Sequence, residues 1–400
     1  MSLFQAVEMA PRDPILGLNE QFAADAHPRK VNLGVGVYFD DQGKLPLLQC
    51  VKQAEAQLAA APKARGYLPI DGIAAYDNAV KALVFGADSE PVKSGRVATV
   101  QALGGTGGLK IGADFLKRLN PQAKVLISDP SWENHRALFT QAGFTVETYA
   151  YYDAASRSVN FKGMLASLEA AAPGTVVVLH ACCHNPTGYD ITAAQWDQVV
   201  QVVKAKGLTA FLDMAYQGFG QGIAEDGAVI AKFVAAGIDF LVSTSFSKSF
   251  SLYGERVGAL SALCANKDEA DRVLSQLKIA IRTNYSNPPT HGGTVVASVL
   301  NTPELRALWE KELAEMRVRI KAMRQALVEG LKAAGVKQDM SFITQQVGMF
   351  SYSGLSKEQM VRLRSEFGVY GTDTGRMCVA ALNSGNIGHV CQSIAKVLST

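Results

Sequence analysis

Short apolar runs rich in β-branched residues recur along the chain, at 96–101, 124–128, 175–180, 208–213, 240–245 and 257–264. Between them lie segments such as 109–119, 193–206 and 228–236, whose apolar residues return every three or four positions. The first pattern predicts buried strands and the second predicts amphipathic helices. Strand alternating with helix makes a mostly parallel sheet covered by helices on both faces, an α/β fold.

From Pro303 the pattern changes to a charged segment that keeps a helical period from Leu305 to Leu331 and ends at Gly335. It is longer than one strand-to-strand crossover needs, so it reads as a connector into a second domain. Beyond it the pattern predicts short strands near 348–352 and 377–381 and helices at 357–367 and 388–398. The N-terminal stretch, with a strand-like 31–38, is expected to join this C-terminal layer. The expected division is an N-terminal arm at 1–14, a smaller α/β domain from 15–45 and 316–400, and a large domain at 46–315.

Composition agrees with two domains, since 400 residues exceed what one hydrophobic core usually spans. Lys and Arg total 39 against 36 Asp and Glu, a net charge of +3 that offers no polyanion a sequence-independent hold, so nucleic-acid partners are disfavoured. Residues 1–10 lack the basic-then-apolar order of a signal peptide. The long uncharged stretch 170–189 contains Pro173, Gly174, His180, His184 and Pro186, which no lipid-spanning helix would tolerate together. Six scattered cysteines suit a reducing compartment. The expectation is a cytoplasmic protein with no membrane partner.

In an open α/β sheet, ligands sit beyond the carboxyl ends of the strands, so the residues after each run carry the chemistry. After 96–101 comes LGGTGGLK, in which Gly104, Gly105, Thr106, Gly107 and Gly108 lead into a helix expected from Leu109. Free N–H groups at such a helix start hold an anion, although the spacing fits neither the dinucleotide fingerprint nor the P-loop. After 175–180 comes ACCHNPTG; its Cys182, Cys183 and His184 lack a second ligand pair at finger spacing, so no metal is expected, and Asn185 stands at the strand tip. The run 208–212 is followed by Asp213 with Tyr216 just beyond, and 240–246 leads through Ser245 to Ser247 and Lys248, with Arg256 eight residues beyond Lys248. A carboxylate closing an apolar strand needs a cationic partner, a lysine in this setting suits carbonyl chemistry, and an arginine pairs with phosphate. Together they call for a ligand with a phosphate, a phenolic oxygen, a basic ring nitrogen and an aldehyde. Pyridoxal 5′-phosphate has all four.

The motifs VNLGVGVY, YLPIDG, LGGTGGLK, DPSWENH, HACCHNPTG, LDMAYQGFG, SFSKSFSLYGERVG, NYSNPP, GMFSYSGL and TGR, spread over essentially the whole chain, closely resemble the fold-type I, class I aminotransferases of the aspartate and aromatic branch. The resemblance implies a large domain built on a mostly parallel seven-stranded sheet. It implies that Lys248 holds the cofactor covalently and then acts as acid and base, that Asp213 keeps the pyridine nitrogen protonated, and that Tyr216 and Asn185 bind the phenolic oxygen. Trp132 is expected to stack on the ring, with His135 near Asp213. Gly105, Thr106, Ser245, Ser247 and Arg256 are expected to hold the phosphate, joined by Tyr67 from the second subunit of a homodimer. Gly36 and Arg376 are expected at the substrate, Arg376 clamping its α-carboxylate, while Arg282 from the other subunit binds a distal carboxylate. Asp373, close to Arg376 in sequence where relatives are apolar, is a departure that could alter substrate preference.

Stretches such as FGADSEPV, IGADFLKR and TGRMCVAALN look more like the bacterial aromatic (tyrosine) aminotransferases than the strict aspartate enzymes. The resemblance therefore implies ping-pong transfer of the amino group between aromatic amino acids or aspartate and 2-oxoglutarate. The alternatives are an aspartate aminotransferase with little aromatic activity and, on the same fold, a pyridoxal-phosphate-dependent lyase.

Overall fold

The structure is a computed structural model that describes residues 2–399. The chain divides into two compact units, one formed by 1–44, 322–344 and 349–400, the other by 45–321 and 345–348.

The larger unit is organised by seven strands: β1 (Val97–Leu103), β2 (Val125–Asp129), β3 (Val146–Ala150), β4 (Val176–His180), β5 (Thr209–Met214), β6 (Phe240–Ser245) and β7 (Val257–Leu263). Their order across the sheet is β1-β7-β6-β5-β4-β2-β3. β2 to β6 run parallel through their neighbours, whereas β7 lies antiparallel between β1 and β6. The mostly parallel, helix-flanked sheet is the one the sequence pattern predicts. Residues of β6 and β7 are buried throughout, including the hydroxyl-bearing Ser243, Thr244, Ser245 and Ser261, while β3, VETYA, exposes Glu147 and Thr148 at the sheet edge. That partial exposure is why no apolar run announced β3.

The glycine-rich segment differs from expectation. Its helix starts at Gly104 rather than Leu109 and runs to Leu119. Glycine is a poor helix former, but here packing overrides propensity, because Ile111, Phe115 and Leu116 enter the cluster built on Val100, Val125 and Phe211. Close approach continues at Gly258 in β7, where a Cβ would lie 2.3 Å from the carbonyl carbon of Gly104. Two backbones meet there and neither can step aside. Gly258→Ala is expected to destabilise the chain by about 2–3 kcal/mol, the upper range for overpacking, read as a lowered urea midpoint with an unchanged slope.

The smaller unit contains two short sheets. Val31–Asn32 pairs parallel with Val369–Tyr370, and Phe350–Tyr352 pairs antiparallel with Arg376–Cys378. The strand predicted at 31–38 is thus only two residues long. The helix Lys357–Phe367 is set by a capping box between Ser356 and Gln359 and ends at Gly368 in the left-handed conformation. Arg324 is buried and donates to the carbonyls of Phe350 and Ile343.

The predicted connector is the 31-residue helix Pro303–Ala333. All six cysteines are buried thiols. Among the described residues no helix is long and apolar enough to cross a membrane.

Candidate active site

Asp213 occupies β5 one residue before its end and is buried. Its Oδ2 lies 2.7 Å from Nε2 of His135, whose Nδ1 meets Ser131 Oγ at 2.8 Å. Burial alone would raise the carboxyl pKa, but the hydrogen bond from His135 and the electrostatic pull of the surrounding groups, the Lys248 ammonium among them, prevail and hold it below the usual carboxylate value. Asp213 is therefore a fixed anion. Trp132 packs edge-on against His135 with ring centroids 5.2 Å apart. Behind it, His180 and His184 continue a row of imidazoles with centroid separations of 5.1 and 4.3 Å. Burial holds His180 near pKa 3 and His184 far down as well, so both are neutral and act as polar packing.

Lys248 follows β6 in a turn, with Nζ 5.0 Å from the centre of the Tyr216 ring. Two aromatic contacts fix that turn. Trp309 donates Nε1–H to the carbonyl of Ser249 at 2.7 Å, and its ring stacks on Phe250 at 4.7 Å. Sequence reasoning missed Trp309; its signal was a lone tryptophan on the apolar stripe of a charged helix. Asn185 is buried in the turn after β4, where the Asp190 carboxylate accepts from the N–H groups of Cys183 and His184 at 2.7 and 2.9 Å. That carboxylate pins a loop in which Cys183 has a φ of 51°.

The helix Gly104–Leu119 presents its first turn, with Gly105 and Thr106, beside Ser245, since a Cβ on Gly105 would stand 3.2 Å from that of Ser245. First-turn N–H groups lack helical acceptors, and the helix dipole favours an anion there. Arg256 closes the cradle. Its own φ is 55°, its carbonyl accepts from the Gly104 N–H at 3.0 Å, and its Nη1 donates to the Tyr253 carbonyl at 2.8 Å and to Ser247 Oγ at 3.4 Å. Gly104, at φ 67°, is required, because a Cβ there would sit 2.7 Å from Arg256 Nη2. A buried anion, an amine, a strand-tip amide and a hydroxyl- and arginine-lined helix start fit a phosphorylated, basic, aldehyde-bearing ring.

The remaining predicted residues lie elsewhere. In the smaller unit Arg376 is 2% exposed, stacks 4.2 Å over Phe350 and donates Nη2–H to the Gly34 carbonyl at 2.7 Å, with Gly36 half-buried on the same segment. Asp373 points its charge to Arg364 at 3.1 Å, an exposed pair, so its proximity to Arg376 in sequence does not make it a partner of that residue. Tyr67 is 94% exposed, and Arg282, also exposed, donates to Ser286 Oγ at 2.8 Å.

The family model for aminotransferases of class I and II matches residues 28–394. The chain belongs to that family. It is 63% identical over 398 residues to an aspartate aminotransferase of Pseudomonas aeruginosa, with all of both chains covered. Against an aromatic-amino-acid aminotransferase of Escherichia coli it is 51% identical over 397 residues, covering 99% of this chain and 100% of the relative. The crystal structure of an aromatic-amino-acid aminotransferase from Burkholderia pseudomallei, covalently bound to pyridoxal phosphate, matches with a TM-score of 0.97 and 66% identity over the full length of both chains. The seven-stranded sheet of this aminotransferase is thus the fold-type I sheet. Ser245 closes β6 and Lys248 follows it, at the carboxyl end of a strand, where open α/β sheets place their ligands.

Proposed function

We propose that this aminotransferase binds pyridoxal 5′-phosphate and moves amino groups between aromatic amino acids or aspartate and 2-oxoglutarate in two ping-pong half-reactions. The observation that carries the reading is the Asp213 carboxylate, buried, backed by His135 and held anionic beside Lys248. When bound, pyridoxal 5′-phosphate supplies a conjugated ring that takes up electrons released at the substrate Cα.

The chain's residues do the rest. Asp213 keeps a proton on the ring nitrogen, and Asn185 and Tyr216 donate to the phenolic oxygen. Trp132 covers the ring face. Gly105, Thr106, Ser245, Ser247 and Arg256 bind the phosphate. Lys248 would carry the cofactor through Nζ and would take up the Cα proton and hold it for return. Arg376 grips the α-carboxylate with its planar fork and Gly36 borders the substrate. The protein works as a cytoplasmic homodimer in which Tyr67 and Arg282 reach the site of the other subunit; their exposure in the single chain supports this.

A second reading, an aspartate aminotransferase with little aromatic activity, is favoured by the Pseudomonas relative. Measuring kcat/KM for tyrosine, phenylalanine and aspartate with 2-oxoglutarate decides: aromatic values within about tenfold of aspartate support the first reading, and values about a thousandfold lower support the second. Arg282→Leu is expected to lower kcat/KM for aspartate by about 10²-fold, the scale of a lost charge pair, and to spare phenylalanine. Equal losses for both amino acids would remove Arg282 from the distal-carboxylate role.

A further inference from the structure

Gln101 is a long amide inside a strand whose other polar side chain is Thr99, and it is 2% exposed. Its side chain reaches two loops at once. Oε1 accepts from the Ile73 N–H at 3.1 Å, and Nε2 donates to the Pro289 carbonyl at 3.0 Å. An N–H can only donate and a carbonyl can only accept, so the orientation of the amide is fixed by its partners. The Gln101 backbone continues the link, its N–H donating to the Asp71 carbonyl at 2.9 Å and its carbonyl accepting from the Tyr285 hydroxyl at 3.5 Å. Glycines on both sides, Gly72 in the first loop and Gly293 in the helix that follows the second, admit this side chain. A Cβ on Gly72 would lie 2.4 Å from Gln101 Cβ, and one on Gly293 would lie 2.4 Å from Nε2. The second loop also needs holding, because Ser286, which accepts from Arg282, has a φ of 71°.

The two loops are the ones that follow Tyr67 and Arg282. We propose that Gln101 is a positioning residue for the second subunit's site: one buried amide sets the loop that carries Tyr67 and the loop that leaves the helix end bearing Arg282, and so couples phosphate binding to recognition of a distal carboxylate in the partner. This rests on the shared-site reading given above. Gln101 does not touch substrate; it acts through the two residues it holds.

Hybrid dimers test it. In the first, one chain carries Lys248→Ala with Gln101→Leu and the other is wild type, so the sole lysine-bearing site draws on the altered loops. In the second, one chain carries Lys248→Ala alone and the other Gln101→Leu, so the sole lysine-bearing site draws on intact loops. The first hybrid is expected to show KM for aspartate raised about tenfold, the scale of one lost buried hydrogen bond, with kcat for phenylalanine unchanged. The second is expected to match a wild-type and Lys248→Ala hybrid. Equal impairment of both hybrids, as from a chain that merely folds badly, or impairment of the second alone, overturns the proposal. Gln101→Glu homodimers keep an acceptor for Ile73 but lose the donor to Pro289. They are expected to raise KM for aspartate without changing the cofactor dissociation constant, whereas Gln101→Leu changes both; the same pattern for the two variants counts against the proposal. As a control, a Lys248→Ala, Arg282→Leu chain is paired with wild type. If KM for aspartate stays unchanged there, the shared-site reading fails and takes this proposal with it; if it rises while the Gln101 hybrids do not differ, the proposal alone fails.

Discussion

Lys248→Ala is expected to lower turnover with aspartate and 2-oxoglutarate by at least about 10⁴-fold, the upper end of what a positioned acid and base supplies. The turn that carries the lysine should survive the change, because the Trp309 bond to Ser249 and the stacking on Phe250 do not involve the amine. Circular dichroism and the denaturation midpoint should therefore stay near wild type while activity is lost. Turnover within tenfold of wild type would sink the proposed role of Lys248 and, with it, the proton-transfer scheme. A variant that loses activity and folded signal together would contradict the bracing by Trp309.

Asp213→Asn is the second large effect. The amide is nearly isosteric and can still meet His135, but it carries no charge to hold a proton on a ring nitrogen. Turnover is expected to fall at least about 10³-fold, the upper scale for removing one preorganised electrostatic group, with little change in the affinity of the apoprotein for cofactor phosphate. Steady-state rates together with equilibrium titration of the cofactor check both halves. The carboxyl is held below its ordinary value of 3.8, so its charge is present at all pH values above that and is lost only as pH falls through the depressed value. An acid limb in kcat near pH 6 therefore belongs to another group, and the Asp213→Asn enzyme should keep that limb on its residual activity.

Much of the sheet was legible because strands buried on both faces are predominantly apolar. The run at 240–245 is β6 to the residue, and 193–206 is a helix over those same positions. What escaped did so for identifiable reasons. β3 is an edge strand and exposes the adjacent Glu147 and Thr148 to solvent. The glycine helix reads as loop because propensity is local, whereas its formation depends on contacts with strands far away in sequence. In the site, Asp213, Ser245 and Lys248 were visible as polar residues closing apolar runs. Asp373 is close to Arg376 in sequence, yet its charge pairs with Arg364 on the preceding helix, since neighbours in sequence need not be neighbours in space. Trp309 and Gln101 hold functional loops through a single bond or a single amide, and no spacing rule marks such residues. A polar residue in mid-strand, as Gln101 is, is nonetheless a sequence-level reason to ask what it holds.

The buried cysteines give the chain a built-in clock for its own opening. Thiol reagents attack the exposed thiolate, and burial pushes Cys264 up to about pKa 12 and Cys378 and Cys391 to about 11. Modification can then proceed only as fast as the surrounding structure lets solvent in. Cys378 and Cys391 belong to the smaller unit, while Cys50, Cys182, Cys183 and Cys264 belong to the larger one. Peptide-resolved labelling rates thus separate the opening of the two units within one unmutated chain, with and without bound cofactor.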